Sequence, residues 1–516
     1  MTTRPDLRVS KPVATHFVIG RILSGSAVVF LASLSNSYAD VWKIAPEVTL
    51  TETFTDNAAL VPASSAQNSW VTEVTPSLHI EHLGSRVSVL LDYRLRSTYY
   101  LNQTRLNSSQ NFLNAASTFE AVENWLYVDA RSSITQQNRS AFDSVQLQNT
   151  SLGSNRVETN TYQISPYIRG RFADAAIYQL RLTDTETRTS DAAFPDTKTT
   201  EWIGVVTNTA NGSRWGWLVS GNALQIRNND LGSKQDNRIR ASAIYAVDRQ
   251  LKFSVIGGYE RSDFASANAR ATNTAGAGVE WLPTDRTKFS AMRERRFFGD
   301  AYNLLFTHRT ALTAWKFVTT KDVVVLPNTL TTVTPGSVYE LLYDVLSTSI
   351  PDPAARTEAV RRRLQESASV ENGNFSSAFL TFRPFVSQKR EGSVALLGAR
   401  NTITLTFGRR EQRDIASTIP NPLLQNTDVL QHNWNLSWAH RLSPVSTVTA
   451  VVSRLKTESL SSLQTESKQR AESIVFTTRL SPKTSASLAW RRVHFDNTVL
   501  TSYLENALAG TILMRF

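Results

Sequence analysis

Hydrophobic and polar residues alternate with a period of two along most of the chain beyond residue 40. In the stretch 432–442, Trp434, Leu436 and Trp438 share one face, and the residues between them are polar. Similar stretches occur at 238–247, 251–260, 275–281, 473–480, 485–491 and 503–516. A period of two predicts β-strands that each turn one apolar face away from water.

The connections between these stretches come in two lengths. Long polar connections are predicted at 102–117, 191–198, 228–236 and 414–428. Tight turns are predicted at Leu83-Gly84, Asp248-Arg249, 283–285, Ser443-Pro444 and Ser481-Pro482. Short turns at one end and long loops at the other are typical of outer-membrane barrels. The sequence therefore predicts an all-β fold, a transmembrane antiparallel up-and-down β-barrel of roughly 16–20 strands. A soluble β-sandwich would also show alternating strands.

The chain ends in an alternating strand whose last residue is aromatic. Phe516, Met514 and Ile512 lie on its apolar face. Bacterial outer-membrane barrels usually end in this way. We therefore expect these three residues to form the insertion signal that the barrel-assembly machinery recognises.

The N-terminal region has the organisation of a secretory signal peptide. Basic residues precede the apolar stretch Ile22–Leu34, and small residues at Ser37 and Ala39 flank Tyr38 before a cleavage site. The apolar stretch is too short for a stable membrane span, although an N-terminal anchor is the alternative. We predict a signal peptide at 1–39, a periplasmic segment at 40–69 and a barrel at 70–516.

One segment, 335–367, breaks the alternation. Residues 338–346 have helical spacing, and a second helix is expected after Asp352 and Pro353, which suit an N-cap and a first helical position. We expect a small helical insert that acts as a lid or plug. A folded loop without a gating role is the alternative.

Composition narrows the class of protein. The mean hydropathy of −0.25 is too polar for a helical membrane protein, and it suits a barrel in which every second residue faces lipid. The chain has no cysteine and carries a net charge of +11. A basic soluble protein would suggest nucleic acid, but the export signal argues against that partner. We expect contact with outer-membrane lipid and lipopolysaccharide, in the bacterial outer membrane.

The sequence carries no recognisable catalytic or cofactor motif. The seven histidines are scattered, and His79 and His82 do not have the spacing of a metal site. No phosphate-binding loop, dinucleotide fingerprint or nucleophile elbow is present. We therefore predict a protein that is not an enzyme, with no cofactor, metal or catalytic residues. An outer-membrane hydrolase remains an alternative.

Arginine clusters are the main chemical bias. The face opposite the apolar side chains is expected to line the lumen, where the candidates are Arg238, Arg240, Lys252, Glu260, Arg479 and Arg491. Two further groups end strands and are expected to form a basic rim that attracts anions or lipopolysaccharide: Arg293, Arg295, Arg296, Arg409, Arg410 and Arg413. A merely solvated rim is the alternative.

Four segments resemble a known family. They are NRVETNTYQISPYIRGRF at 155–172, RERRFFGDAYNLLFTHRT at 293–310, SIPDPAARTEAVRRRLQ at 349–365 and GARNTITLTF at 398–407. They resemble the PEP-CTERM-system-associated outer-membrane protein family, which is itself similar to β-barrel porins. The resemblance implies a Gram-negative outer-membrane barrel linked to exopolysaccharide production, with the polymer and its secretion proteins as partners.

These observations predict an outer-membrane channel that passes an exopolysaccharide or assists its export. Selection would depend on pore radius and lumen charge. A non-conducting barrel that scaffolds an envelope assembly or anchors a surface polymer is the first alternative, and the hydrolase is the second.

Overall fold

The computed structural model describes residues 42–145, 155–208, 213–229, 232–266, 268–325, 342–343, 346, 356, 360, 379–381, 383–415, 428–461, 465–499 and 502–516. The predicted signal peptide lies outside the described residues, and so does most of the predicted insert. Five described positions within the insert are helical: Leu342, Tyr343, Leu346, Arg356 and Val360.

The described residues form one closed antiparallel sheet of 22 strands. The strands are β1 Lys43–Thr55, β2 Ser69–Leu83, β3 Val87–Tyr100, β4 Ser108–Val122, β5 Leu126–Asn138, β6 Arg156–Phe172, β7 Ala176–Thr189, β8 Thr197–Asn208, β9 Trp215–Asn228, β10 Gly232–Ala246, β11 Leu251–Ser262, β12 Arg270–Thr284, β13 Thr287–Arg296, β14 Gly299–Arg309, β15 Thr313–Val324, β16 Phe385–Leu397, β17 Asn401–Asp414, β18 Val429–Arg441, β19 Ser446–Ser459, β20 Glu466–Ser481, β21 Thr484–Asn497 and β22 Tyr503–Arg515. Each strand pairs with its neighbours in sequence, and β1 pairs with β22 from Glu47↔Arg515 to Thr55↔Ala507. The predicted antiparallel barrel is confirmed.

Two details of the prediction are wrong. The barrel has 22 strands, above the predicted 16–20. It also begins at Lys43, so the segment 40–69, predicted to be periplasmic, contributes the strand that closes the ring. The apolar face of β1 is interrupted by Pro46 and Glu52, which weakens its alternation. In β5 the same face carries Ala130 and Ser132, so the pattern is weak there too.

The two faces of the barrel differ in composition. Large apolar side chains of alternate residues are exposed on the outer face, and their neighbours point into the lumen. Outer aromatic residues form two girdles, one near each end: Trp215, Trp281, Trp315 and Trp438, and Phe54, Trp70, Tyr99 and Tyr259. An apolar band between aromatic girdles is the arrangement of a membrane-spanning barrel.

The two ends of the barrel also differ. The end that carries Lys43 and Phe516, here called the terminal end, has all five predicted tight turns. The opposite end, here called the loop end, has the long connections, such as 56–68, 139–155 and 325–384. Hairpins after β9 and β13 are short exceptions at the loop end. The long connections predicted at 102–117 and 228–236 are therefore wrong in extent, because β4 begins at Ser108 and β10 begins at Gly232. No helix within the described residues is long and apolar enough to cross a membrane.

Candidate functional site: the lumen

Cross-strand register decides which side chains line the lumen. The structure places all six predicted lumen residues on the inner face: Arg238, Arg240, Lys252, Glu260, Arg479 and Arg491. Lys252 and Arg479 lie near the terminal end, and the others lie nearer the loop end. Arg479 is exposed, whereas Glu260 and Arg491 are buried.

A buried ion cluster occupies the inner face of β10–β15. Arg296 and Glu260 have side-chain exposures of 4% and 0%. Arg296 Nε donates to Glu260 Oε1 at 3.1 Å, Arg296 Nη1 donates to Asp322, and Arg296 Nη2 lies 3.7 Å from Asp236 Oδ2. Because the carboxylates surround the guanidinium, this arginine contributes little free positive charge to the lumen.

A second pair in this cluster crosses two strands. Arg240 Nη1 on β10 donates to Glu294 Oε2 on β13 at 3.0 Å. The intervening strands, β11 and β12, carry glycine where the Arg240 side chain crosses them. A Cβ added at Gly258 would lie 2.4 Å from Ile239 O and 3.1 Å from Arg240 Cγ, and one at Gly276 would lie 2.5 Å from Arg293 O. Glycine is therefore required here by the close approach of backbone and arginine.

A third buried pair joins β21 and β22. Arg491 Nη2 donates to Glu505 Oε1 at 2.8 Å, and Thr55 Oγ1 donates to the same carboxylate oxygen at 3.1 Å. Both charged side chains are almost fully buried. Charge is again neutralised in the half of the lumen nearer the loop end.

The residues of the predicted basic rim are divided between the two faces of the wall, because successive strand residues point to opposite faces. Arg296 and Arg410 point into the lumen. The other members lie on the outer face and are exposed: Arg293, Arg295, Arg409 and Arg413. Charges on the outer face cost ~0–1 kcal/mol near a membrane interface and ~2–4 kcal/mol at the midplane, so positions near strand ends are the tolerable ones.

A different arrangement lines the terminal half of the lumen on β5–β7. Tyr127 lies opposite Tyr167, and their rings stack with centroids 5.1 Å apart at 14°. The guanidinium of Arg169 lies 4.3 Å from the centroid of Tyr127, and that of Arg181 lies 3.9 Å from the centroid of Tyr167. Arg169 Nη2 also donates to Tyr127 Oη at 2.8 Å. Two stacked tyrosines and two arginines in cation–π contact with them thus form one cluster on the inner wall.

Two more arginines extend this surface. Arg131 on β5 and Arg171 on β6 share the inner face with this cluster, and both are exposed. We define the Arg–Tyr wall as the six residues Tyr127, Arg131, Tyr167, Arg169, Arg171 and Arg181. Sequence reasoning missed it. The string YIRGR places Tyr167, Arg169 and Arg171 on one face, but their partner Tyr127 is found only through the register of β5 with β6.

The loop end of the lumen is crossed by two segments. In the connection after β5, Val145 N donates to Gln469 Oε1 at 2.8 Å, and Gln469 Nε2 donates to Val145 O at 2.6 Å. Asn497 Nδ2 donates to Phe142 O at 2.7 Å. These contacts join the β5 side of the ring to β20 and β21.

The second crossing segment precedes β16. Leu380 N donates to Asn138 O at 2.8 Å, and Phe379 packs with Phe142 and Val429 in a buried cluster. In a ring of 22 strands, β5 and β16 are diametrically opposed. We define residues 139–145, 379–381 and 383 as the mouth segments; together they cross the lumen at the loop end.

One titratable group lies in the mouth segments. Burial raises the pKa of Asp143 above its ordinary value, while hydrogen bonds from Ser144 act in the opposite direction. The charged form is therefore disfavoured when this segment is docked.

Two of the described histidines contact an acid or an amide side chain. His79 Nδ1 lies 2.6 Å from Asp92 Oδ1, and His440 Nδ1 lies 2.8 Å from Asn401 Oδ1. Within the described residues neither ring bonds a serine hydroxyl. No group of three His, Asp or Glu side chains in this part of the chain could hold a metal ion.

Comparison with known proteins gives matches at the level of fold. A family model described as a protein of unknown function, DUF481, matches residues 195–292. No curated protein matches the chain. The FrpB iron transporter from Neisseria meningitidis (F5-1 variant) superposes with a TM-score of 0.50 at 9% identity, covering 92% of this chain and 82% of that one.

Two other solved structures are more distant by TM-score. The siderophore receptor PirA from Pseudomonas aeruginosa gives 0.46 at 8% identity, covering 93% of this chain and 81% of that one. Pseudomonas aeruginosa OccK3 (OpdO) gives 0.32 at 10% identity, covering 92% and 96%. The superposition on the FrpB iron transporter shows a shared barrel fold. The closed sheet, the outer apolar band and the aromatic girdles place the chain in the bacterial outer membrane.

Proposed function

We propose that the protein is an outer-membrane channel that assists export of an exopolysaccharide through its lumen. The observation that carries this proposal is the inner wall, which is polar and charged along 22 strands and has exposed arginines in its terminal half. Barrels of 16–18 strands already enclose an aqueous channel, and this ring is larger. Selection would then depend on lumen charge and on the width left by the mouth segments.

The polysaccharide part of the proposal is supported by the sequence resemblance to the PEP-CTERM-system-associated outer-membrane proteins. A large polar lumen suits a hydrated polymer, because sugar hydroxyls exchange hydrogen bonds with water and polar side chains. The proposal includes no covalent chemistry. The terminal end would face the periplasm and the loop end the exterior, as short turns and long loops do in other barrels.

The direct test is the conductance of the purified protein in planar lipid bilayers. Wild-type protein and a variant lacking 335–367 should both open discrete channels, the deletion with equal or larger conductance. A heat-dependent shift in gel mobility is the control for a folded barrel. A folded protein that stays closed in both forms would contradict the channel.

A second candidate is a non-conducting barrel that acts as a scaffold for an envelope assembly or as a polymer anchor. The mouth segments favour it, because they cross the lumen and bond its far wall. Stable co-purification with periplasmic or surface partners, together with silence in bilayers, would support the scaffold.

Export itself is tested in cells. Loss of the protein should reduce the polysaccharide at the cell surface and leave it in the periplasm, and the wild-type gene should restore it. Unchanged surface polysaccharide in the deletion strain would remove the export claim and leave the barrel.

A further inference from the structure

The Arg–Tyr wall holds four arginines, of which Arg181 is paired with Asp129 and three have no carboxylate partner within the described residues. The guanidinium groups of Arg169 and Arg181 make cation–π contacts with Tyr127 and Tyr167, at 4.3 and 3.9 Å from the ring centroids. The N–H donors that point away from the ring are the part of arginine that binds carboxylates and phosphates. The tyrosines therefore act as a platform that orients the arginines.

The N–H donors of these two arginines differ in their hydrogen-bond partners. Arg181 Nη1 donates to Asp129 Oδ2 at 2.7 Å, so that arginine is neutralised. Arg169 is exposed, and its side-chain hydrogen bond is to Tyr127 Oη, an uncharged acceptor. Its remaining N–H donors can reach a solute in the lumen.

Arg131 and Arg171 are freer still. Within the described residues, neither forms an ion pair or a side-chain hydrogen bond. Among the described residues, Asp129 and Glu120 bond members of the wall; Asp129 accepts from Arg181, and Glu120 accepts from Tyr127 Oη at 3.1 Å. The wall therefore keeps an excess of positive charge, unlike the buried cluster of β10–β15.

The spacing suits a polymer. Arg169 and Arg171 are two residues apart on β6, a rise of ~7 Å. A chain carrying an anionic group on successive sugars could engage both arginines at once, and a second contact on the same chain is favoured by its high effective concentration. A single small anion would lose that advantage.

We infer that the Arg–Tyr wall is a binding subsite for the carboxylate groups of an acidic, uronate-type polysaccharide, an inference that rests on the proposed export function. Arg131, Arg169 and Arg171 bind the carboxylates, and Tyr127 and Tyr167 position Arg169 and Arg181. Attraction between exposed charges weakens with salt, so binding is strongest at low ionic strength.

The test measures binding of polygalacturonate to the full-length protein in detergent at low salt. Dextran of matched length is the neutral control, and inorganic polyphosphate is the second anion. The variant R131Q/R169Q/R171Q should weaken polygalacturonate binding at least about tenfold. The matched control R293Q/R295Q/R413Q removes three charges from the outer face and should bind like wild type. A heat-dependent gel shift confirms that both variants fold.

Three outcomes would overturn the inference. They are equal binding of dextran and polygalacturonate by wild type, unchanged binding in the lumen variant, and an equal preference for polyphosphate, which would show an anion site without carboxylate selectivity. Failure of the channel is separable, because protein that is silent in bilayers but binds polygalacturonate through these arginines retains the subsite.

Discussion

The two halves of the lumen use arginine in different ways. In the half near the loop end, Arg296, Arg240 and Arg491 are held by the carboxylates of Glu260, Glu294 and Glu505. In the terminal half, Arg131, Arg169 and Arg171 are exposed and have no carboxylate partner among the described residues, and Arg181 contacts both Tyr167 and Asp129. Three arginines therefore stabilise the wall near the loop end, and three others remain available to solutes in the terminal half. The difference lies in the cross-strand partner.

The largest expected difference is in the cost of removing one arginine from each half. Arg296→Met leaves Glu260 buried and unpaired, which should lower the free energy of unfolding by ~3–5 kcal/mol. Arg169→Met removes an exposed cation in contact with Tyr127 and should cost at most about 1 kcal/mol. Urea unfolding of liposome-refolded protein, followed by tryptophan fluorescence, measures both.

The double variant R296M/E260Q is the control. It also removes the unpaired charge of Glu260, so it should recover part of the lost free energy of unfolding. Equal unfolding free energies for R296M and R169M would erase the distinction between the halves.

The next effect concerns Gly258, the glycine beneath the Arg240 side chain. Gly258→Val should destabilise the barrel by ~1–3 kcal/mol, because the added side chain meets Ile239 O and displaces Arg240 from Glu294. Gly257→Val is the matched control: it points to the outer face, and nothing lies within 4 Å of its added Cβ. The same unfolding assay should separate the two. If Gly258→Val left the free energy of unfolding unchanged, the Arg240 side chain would not be closely packed against β11.

A smaller effect is expected where Gln469 holds the mouth segment 139–145. Gln469→Leu leaves the N–H and C=O of Val145 without these partners, at ~1–3 kcal/mol of docking free energy. Hydrogen exchange at Val145 should speed up, and channel conductance should rise. Gln179→Leu makes the same change on the exposed inner face of β7 and should alter neither. Slow exchange in both variants would show that other contacts hold the segment.

The smallest effect is a pH dependence of the same docking. Because burial raises the pKa of Asp143, docking is favoured in full below its ordinary pKa of about 3.9 and loses this contribution as pH rises through the raised value. Wild-type channels should therefore be more closed in mild acid than at neutral pH. Asp143→Asn should remove that part of the pH response, and an unchanged pH profile would exclude this carboxyl.

The sequence predicted the alternation of side chains that a lipid environment requires. It missed the side-chain contacts that depend on how the strands pair. A lipid environment enforces a period of two, so the inner face was assigned for Arg238, Lys252 and Arg491 without a structure. The contact between Glu260 and Arg296 joins residues on β11 and β13 and depends on register across β12. No local sequence pattern indicates which residue of a non-adjacent strand will be the partner.

The same reasoning explains the wrong strand number and the missed Arg–Tyr wall. Outer positions of β1 and β5 include Glu52, Ala130 and Ser132, so their apolar faces are weakly marked. β5 supplies Tyr127, which lies at the centre of that wall. Where the outer face is indistinct, the inner face cannot be assigned either.

The central claim is that successive residues of one strand face alternately the lipid and the aqueous lumen. The natural chain has no cysteine, so single cysteines can test it in membrane fragments open on both sides. On β5, Arg131→Cys should react rapidly with a charged, membrane-impermeant maleimide, whereas Ala130→Cys should be protected by lipid. Equal labelling at the two positions, or faster labelling at 130, would contradict a barrel with a lipid-facing outside and an aqueous lumen.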